Sequence, residues 1–324
     1  MIDIIKNKKV LVTGGAGFIG INLCQKLLQE ANLVVLMDNF NQYYGGKEER
    51  LREVLNQFKQ GREYFVHNED LVNLTAFNQI DNRFDYIFHL AAQPGVRYSI
   101  QNPVEVTRNN IESSVNVFEH ACKLNPVKVI YASSSSVYGN PIYTPLDEKH
   151  PKNPISPYAV SKLAGEIYAD YYFREKKLPI TSLRFYTVYG PRGRPDMAIR
   201  KFFNLMLQDK EIMIYGDGEQ LRDFTYISDI VNGLILAGEN ANSMGKVFNL
   251  GCSNPIKVID LVSKMYEISG KKQKLKFVEK QEGDVDVTHS DITKAETILG
   301  YSPKVYIDEG LQKTFEWQSK FTTT

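Results

Sequence analysis

The stretch V-L-V-T-G-G-A-G-F-I-G, running from Val10 to Gly20, decides the fold. A strand-length apolar run ends in a glycine-rich turn, and the turn opens an amphipathic helix. Gly14, Gly17 and Gly20 are spaced G-x-x-G-x-x-G rather than G-x-G-x-x-G. The physics is the same: positive-φ turns, close backbone approach to phosphate, and a helix N-terminus aimed at negative charge. Placed between a strand and a helix, such a turn suits a dinucleotide pyrophosphate.

Further along, Asp38 ends the next apolar run, about 20 residues on, where a carboxylate can accept hydrogen bonds from adenosine ribose hydroxyls. That acid repels a 2′-phosphate, and Asn39 and Phe40 offer no cation beside it, so NAD is expected over NADP. The alternative for Asp38 is a turn or helix-cap residue. Asp70 is placed either to meet the adenine amino group or to cap a helix at 71–79.

Short runs rich in Val, Ile and Phe then alternate with longer amphipathic stretches through about the first 250 residues. Strands are expected at 9–13, 33–37, 64–67, 86–89, 127–132, 180–184 and 247–249. Helices are expected at 17–29, 48–59, 104–123, 157–176, 200–208 and 227–238. The pattern is α/β: a Rossmann-type doubly wound parallel sheet with a smaller, discontinuous α/β substrate-binding lobe. The expected division is 1–185 plus about 226–253 for the dinucleotide domain, and about 186–225 plus 254–324 for the second lobe. Ligands of such sheets lie beyond the carboxyl ends of the strands. Asp38, Asp70, Ala91, Ala92, Gln93, Ser133 to Ser136, Tyr186 and Thr187 are therefore expected around one cleft.

Bulk properties narrow the function. With 324 residues and 43% hydrophobic content the chain can bury a large core. Lys+Arg 39 against Asp+Glu 38 leaves a net charge of +1, which favours neither nucleic acid nor a membrane surface. The Lys271 to Lys276 cluster reads as a solvated turn. Apolar runs are strand-length, and the first ten residues lack a signal-peptide core. Cys24, Cys122 and Cys252 lie far apart without metal spacing, so no metal is expected and a cytoplasmic location fits.

Downstream, Y-A-V-S-K puts Tyr158 and Lys162 at i and i+4, on one face of a helix. A neighbouring ammonium favours phenolate, pulling the tyrosine from its ordinary value near 10 toward neutrality. Tyr158 then serves as general base and acid. The run A-S-S-S-S-V-Y-G at 132–139, ending the preceding strand, brings hydroxyls to share a substrate proton. Read by itself, a tyrosine four residues before a lysine is surface decoration; the serine run is what changes that reading.

T-G-G-A-G-F-I-G, H-L-A-A-Q (89–93), S-S-S-S-V-Y-G, S-P-Y-A-V-S-K and R-D-F-T-Y-I-S-D (222–229) together resemble an extended short-chain dehydrogenase/reductase acting on nucleotide sugars. Within that family N-Q-Y-Y-G, A-A-Q-P-G-V-R-Y-S (91–99) and Y-T-V-Y-G-P-R-G-R-P-D-M-A (186–198) are similar to UDP-glucuronate 4-epimerases. The resemblance implies a catalytic Ser134, Tyr158 and Lys162. It implies a cofactor site of Gly14, Gly17, Phe18, Ile19, Asp38, Asn39, Asn41, Asp70, Leu71, Leu90, Ala91, Ala92, Gln93, Asn109, Ala132, Ser133, Tyr186 and Val188, with Tyr158 and Lys162. For a UDP-hexuronate it implies Val96, Arg97, Ser134, Ser135, Ser136, Tyr158, Thr187, Arg194, Ile199, Arg222 and Asp284. It further implies a homodimer through helices 104–123 and 157–176.

Related dehydratases carry Asp-Glu directly after the catalytic hydroxyl, and decarboxylases keep the glutamate; this chain has Ser135 and Ser136, which are not acids near neutral pH. The expected reaction is C4 epimerisation of UDP-glucuronate through a 4-keto intermediate on bound NAD+. UDP-glucose 4-epimerases, which carry Asn where this chain has Thr187, are the nearest competitor, and a non-catalytic NAD-sensing protein is the other. A sugar carboxylate needs donors, because burying an unpaired anion is costly. Ser134 to Ser136 and Thr187 supply hydroxyls, and Arg192 and Arg194 follow the sixth strand. Either arginine reads equally as a solvated loop cation, and Arg192 stands where the family has tryptophan. Arg97 and Arg222 suit a diphosphate, which a guanidinium meets bidentately. His89 reads as a packing or backbone-bonded residue.

Overall fold

The structure, a computed structural model, describes residues 5–80, 83–279 and 285–321. Strands β1 (Lys9–Thr13), β2 (Leu33–Asp38), β3 (Tyr64–Asn68), β4 (Tyr86–His89), β5 (Lys128–Ser134) and β6 (Ile180–Phe185) lie close to their expected bounds. They are followed by β7 (Thr187–Tyr189), β8 (Ile212–Tyr215), β9 (Leu221–Arg222), β10 (Phe224–Tyr226), β11 (Val247–Leu250), β12 (Ile256–Lys257) and β13 (Leu275–Val278). One seven-stranded parallel sheet runs in the order β11-β6-β5-β4-β1-β2-β3.

The sheet is buried on both faces. Val10 and Val12 join one apolar cluster, and Leu11, between them, joins the other. Continuous rather than alternating apolar strands are what a sheet covered by helices on both sides requires. Each fully buried aliphatic side chain contributes about 2 kcal/mol. Segments 187–226 and 256–278 form short pairs of their own, β10 with β7, β12 with β9 and β13 with β8, beside this sheet. Lys276, expected in a turn, lies in β13.

Three helices differ from expectation, the one expected at 48–59 spanning only Lys47–Leu55. The stretch expected as one helix at 104–123 is Pro103–Thr107, a π-helical turn Arg108–Glu112, and Ser113–Leu124. The reason is Asn110, which is buried and turned inward. Its Oδ1 accepts from Gln93 N–H at 2.6 Å, and its Nδ2 donates to Gln93 O and Ser161 Oγ. Apolar periodicity does not register a one-residue insertion of this kind, and such turns gather at functional sites. The helix expected at 71–79 is a shorter 3-10 helix, Leu74–Gln79. Asp70 does not cap it; Asp70 Oδ1 accepts from Val72 N–H at 3.0 Å in a local turn.

Candidate active site

β1 and β4 are neighbours although β2 and β3 lie on the far side of β1, so the chain leaves the sheet in opposite directions there. Beyond their carboxyl ends opens a cleft of about 390 Å³. Gly14 has φ +69°, and a Cβ on it would press the Leu90–Ala91 backbone. A Cβ on Gly20 would collide with the Gly14 carbonyl. Gly17 caps helix Phe18–Gln29 without any side-chain bond to the first turn. Those first-turn N–H groups, a bare glycine rim and a carboxylate at the end of β2 fit a dinucleotide. The residues that would hold NAD, namely Gly14, Gly17, Phe18, Ile19, Asp38, Asn39, Asn41, Asp70, Leu71, Leu90 to Gln93, Asn109, Ala132, Ser133, Tyr186 and Val188, all line this cleft.

Asp38 is fixed by Ala16 N–H to Oδ2 at 3.1 Å and by Phe40 N–H to Oδ1 at 2.8 Å. The sequence left it without a cation, and here the structure differs. Lys47 Nζ lies 3.7 Å from Asp38 Oδ1, delivered by helix Lys47–Leu55. Lys47 also donates to Asn41 Oδ1 at 2.8 Å, and Asn41 Nδ2 donates to Gln93 Oε1 at 2.9 Å. The segment after β2 is thus strapped to the segment after β4. Tyr44 and Lys47 line the cleft as well, and strand-end reasoning named neither, since both come from a loop and a helix start.

At the centre, β5 ends at Ser134, helix Pro157–Lys176 carries Tyr158 and Lys162, and all three line the cleft. Ser156 caps this helix by accepting from Ala159 N–H at 3.2 Å, which fixes the register of the tyrosine. Ser134 Oγ accepts from Ser136 N–H and from Ser136 Oγ at 2.9 Å, leaving its own proton for the Tyr158 phenol. Burial raises the Tyr158 pKa, against opposing effects from the Arg194 charge and the Ser134 hydrogen bond. This reverses the expected direction. Lys162 Nζ donates to Ala132 O at 2.8 Å, and burial pushes its own pKa down to about 7, with the Glu166 charge pulling the other way. Desolvation of the buried phenol outweighs the charge and the hydrogen bond that favour its ionised form.

Next to Lys162 lies a buried ion pair. Arg184 Nε and Nη2 donate to Glu166 Oε1 at 2.9 Å and Oε2 at 2.6 Å. Ser133 Oγ also donates to Glu166 Oε1, at 2.5 Å, and Arg184 Nη1 donates to Tyr138 Oη at 2.8 Å. His89 is fully enclosed: its Nδ1 meets Thr13 Oγ1 at 2.7 Å and its Nε2 meets Ser114 Oγ at 2.9 Å. Its partners are side chains, not the backbone, and burial with the Lys162 charge pushes its pKa down to about 3.

The expected sugar-side residues divide. Val96, Ser134, Ser135, Ser136, Thr187 and Arg194 line the cleft with Tyr158. Ile199 is buried in the adjoining core and lines a smaller pocket that shares Thr187, Val188 and Arg194 with the cleft. Arg97 and Arg222 do not line the cleft either. The Arg97 guanidinium sits 4.9 Å from the Tyr215 ring centroid, and Arg222 Nη1 donates to Leu221 O and Asp286 O. Asp284 lies outside the described residues. Arg192 turns away altogether: at φ +64° it donates to Asn22, to Gln25 and, at 2.9 Å, to Glu53. Its left-handed backbone reverses the side chain toward the first helix, a direction that sequence adjacency to Arg194 does not convey.

A family model described as GDP-mannose 4,6-dehydratase matches residues 11–314. The chain belongs to the NAD-dependent epimerase/dehydratase family. Among similar members of that family, an uncharacterised protein of Methanocaldococcus jannaschii is 41% identical, with 97% of each chain covered. The solved UDP-glucuronic acid 4-epimerase of Bacillus cereus, in complex with UDP-glucuronic acid and NAD, is 37% identical. It superposes with a TM-score of 0.88 over 97% of this chain and 99% of its own. The UDP-glucose 4-epimerase of Thermotoga maritima, with UDP-glucose, is 34% identical with a TM-score of 0.88 over the same shares. Among the described residues no helix is long and apolar enough to cross a membrane, and no metal-binding group of His, Cys, Asp or Glu occurs.

Proposed function

We propose that this family member catalyses the reversible C4 epimerisation of UDP-glucuronate to UDP-galacturonate with NAD held in the cleft. One observation carries the reading. Beside Tyr158 the wall is built of hydroxyls and a guanidinium (Ser134, Ser135, Ser136, Thr187, Arg194), while the acids of the cleft, Asp38, Glu69 and Asp70, all sit at the ends of β2 and β3. Donors face a sugar carboxylate there, and among the described residues of that wall no carboxylic acid stands ready to expel a leaving hydroxyl. That argues against the elimination named in the family model's description.

Tyr158 removes the proton of the 4-hydroxyl, and Ser134, already oriented by Ser136, aligns that hydroxyl. When bound, NAD+ supplies the acceptor that takes the C4 hydride and returns it, together with a positive charge near the phenol. Lys162 contributes its ammonium from beneath, tied to the Ala132 carbonyl. The sugar turns between the two transfers so that the opposite face of C4 is presented, and Tyr158 gives its proton back to the C4 oxygen. The 4-keto intermediate of a uronate is a β-keto acid and loses carbon dioxide if the carboxyl bond aligns with the ketone. The hydroxyls of Ser135, Ser136 and Thr187 are placed to hold the carboxylate out of that alignment.

Incubating the purified protein with UDP-glucuronate and, separately, UDP-glucose, and resolving the products, tests the proposal. Conversion of UDP-glucose alone would replace it with a neutral-hexose reading, which the likeness to the Thermotoga maritima enzyme supports. Thr187→Ala is expected to release UDP-pentose alongside epimer, seen by chromatography. An inactive variant that made none would undercut the holding role.

The substrate side of this reading assigns residues 186–225 and 254–324 to the sugar nucleotide and the remainder to NAD. Three free cysteines, two of them buried, are consistent with a reducing cytoplasm. We also place a second copy on helix Pro157–Lys176. Val160, Ile167, Tyr168 and Tyr171 form an exposed stripe on it, with Ile167 64% exposed, and Val104 beside them is 80% exposed. Sedimentation is expected to give a dimer that Ile167→Glu converts to monomer.

A further inference from the structure

Arg194 is not a bare cation waiting for a ligand. Its Nε donates to Asp196 Oδ1 at 3.0 Å and its Nη2 to Asp196 Oδ2 at 2.5 Å, a two-point grip within one loop. Tyr43, from the segment after β2, adds a hydrogen bond to Asp196 Oδ2 at 3.2 Å, and the guanidinium lies 5.8 Å from the Tyr43 ring centroid. Tyr43 packs edge-on against Tyr98 at 4.9 Å, so this corner ties together the segments that follow β2, β4 and β7. Arg194 lines the cleft and Asp196 does not. The carboxylate therefore grips the guanidinium from outside, while the arginine's charge still reaches Tyr158.

We infer that Asp196 is a specificity-determining residue: a built-in carboxylate that shares Arg194 with the substrate carboxylate and takes the guanidinium back whenever the sugar turns. This rests on the uronate reading of the cleft. An epimerase for an anionic sugar faces two opposed requirements. The carboxylate must be held well enough to protect the β-keto acid, and released easily enough for the ring to rotate. An unpaired, largely buried arginine would hold it too firmly, since desolvated charge pairs are strong and costly to separate. Exchanging one carboxylate for another on the same fork keeps the arginine paired throughout, so neither binding nor release strands a buried charge. A neutral hexose exchanges nothing and leaves the Asp196 pair intact.

The test is Asp196→Asn, compared with wild type on UDP-glucuronate and UDP-glucose. With UDP-glucuronate, KM is expected to fall about tenfold and kcat to fall by a similar factor, because the anion is over-held. Any UDP-glucose turnover is expected to change less than twofold. Asp196→Glu, which keeps the charge, is expected to restore the wild-type pattern, and Asp196→Ser repeats the test should the asparagine variant not fold. Equal losses on both substrates, or a raised KM for UDP-glucuronate, would overturn the exchange role and leave Asp196 a structural clamp. A wild-type protein that turns over only UDP-glucose would instead sink the uronate reading, an outcome read before any variant is made.

Discussion

Tyr158→Phe is expected to lower turnover by about 10³-fold while leaving NAD and UDP-sugar binding nearly unchanged. The substitution removes one oxygen and keeps the ring that fills the space beside Ser134 and Lys162. Among the described cleft residues, only this phenol combines a titratable proton, contact with Ser134 and a place beside Arg194 and Lys162. Burial raises its pKa, so catalysis depends on charge assembled around it. Arg194 and the Ser134 hydrogen bond already act in that direction. Rates from epimer formation, with binding followed by calorimetry, check the expectation; a phenylalanine variant keeping a tenth of wild-type turnover would remove Tyr158 from the proton path.

The second large effect concerns stability. Arg184→Met is expected to destabilise the protein by about 3–5 kcal/mol, lowering its thermal midpoint by roughly 10 °C. The arginine is 1% exposed, and its removal leaves Glu166 as a buried carboxylate held chiefly by the Ser133 hydroxyl. Combining it with Glu166→Gln is expected to recover much of the loss, because an uncompensated charge, not the missing bonds, dominates the cost. The same pair supports chemistry. Glu166 lies one turn beyond Lys162, and its charge opposes the burial that pushes that lysine down to about 7. A single Arg184 variant as stable as wild type would show the pair to be dispensable.

Much of this molecule can be read without coordinates. β1, β4 and helix Pro157–Lys176 match their expected bounds, because each carries its own signals: an apolar run ended by glycine, a run closed by His89, and a serine cap followed by Pro157. The residues expected on the NAD side do line one cleft, since in a parallel sheet every strand's carboxyl end faces the same rim and the residues just after each strand must meet there. The sugar side was legible only in part. Its residues come from loops whose direction depends on backbone angles that composition does not encode, as the opposite fates of Arg192 and Arg194 demonstrate. Ile199, on the buried face of its helix, lines only the smaller pocket beside the cleft.

The amino-acid order alone settles the doubly wound sheet, the glycine turn and the tyrosine–lysine pairing, because strand periodicity, turn chemistry and helical spacing act between residues a few positions apart. Tertiary structure alone decides that Lys47 meets Asp38, that Asn41 bridges to Gln93 across 52 positions, and that Asp196 grips Arg194 beside Tyr43, 153 positions away from Asp196. It also decides that burial makes the phenol harder, not easier, to ionise. Burial and long-range charge set those outcomes, and both depend on what the rest of the chain packs around each group.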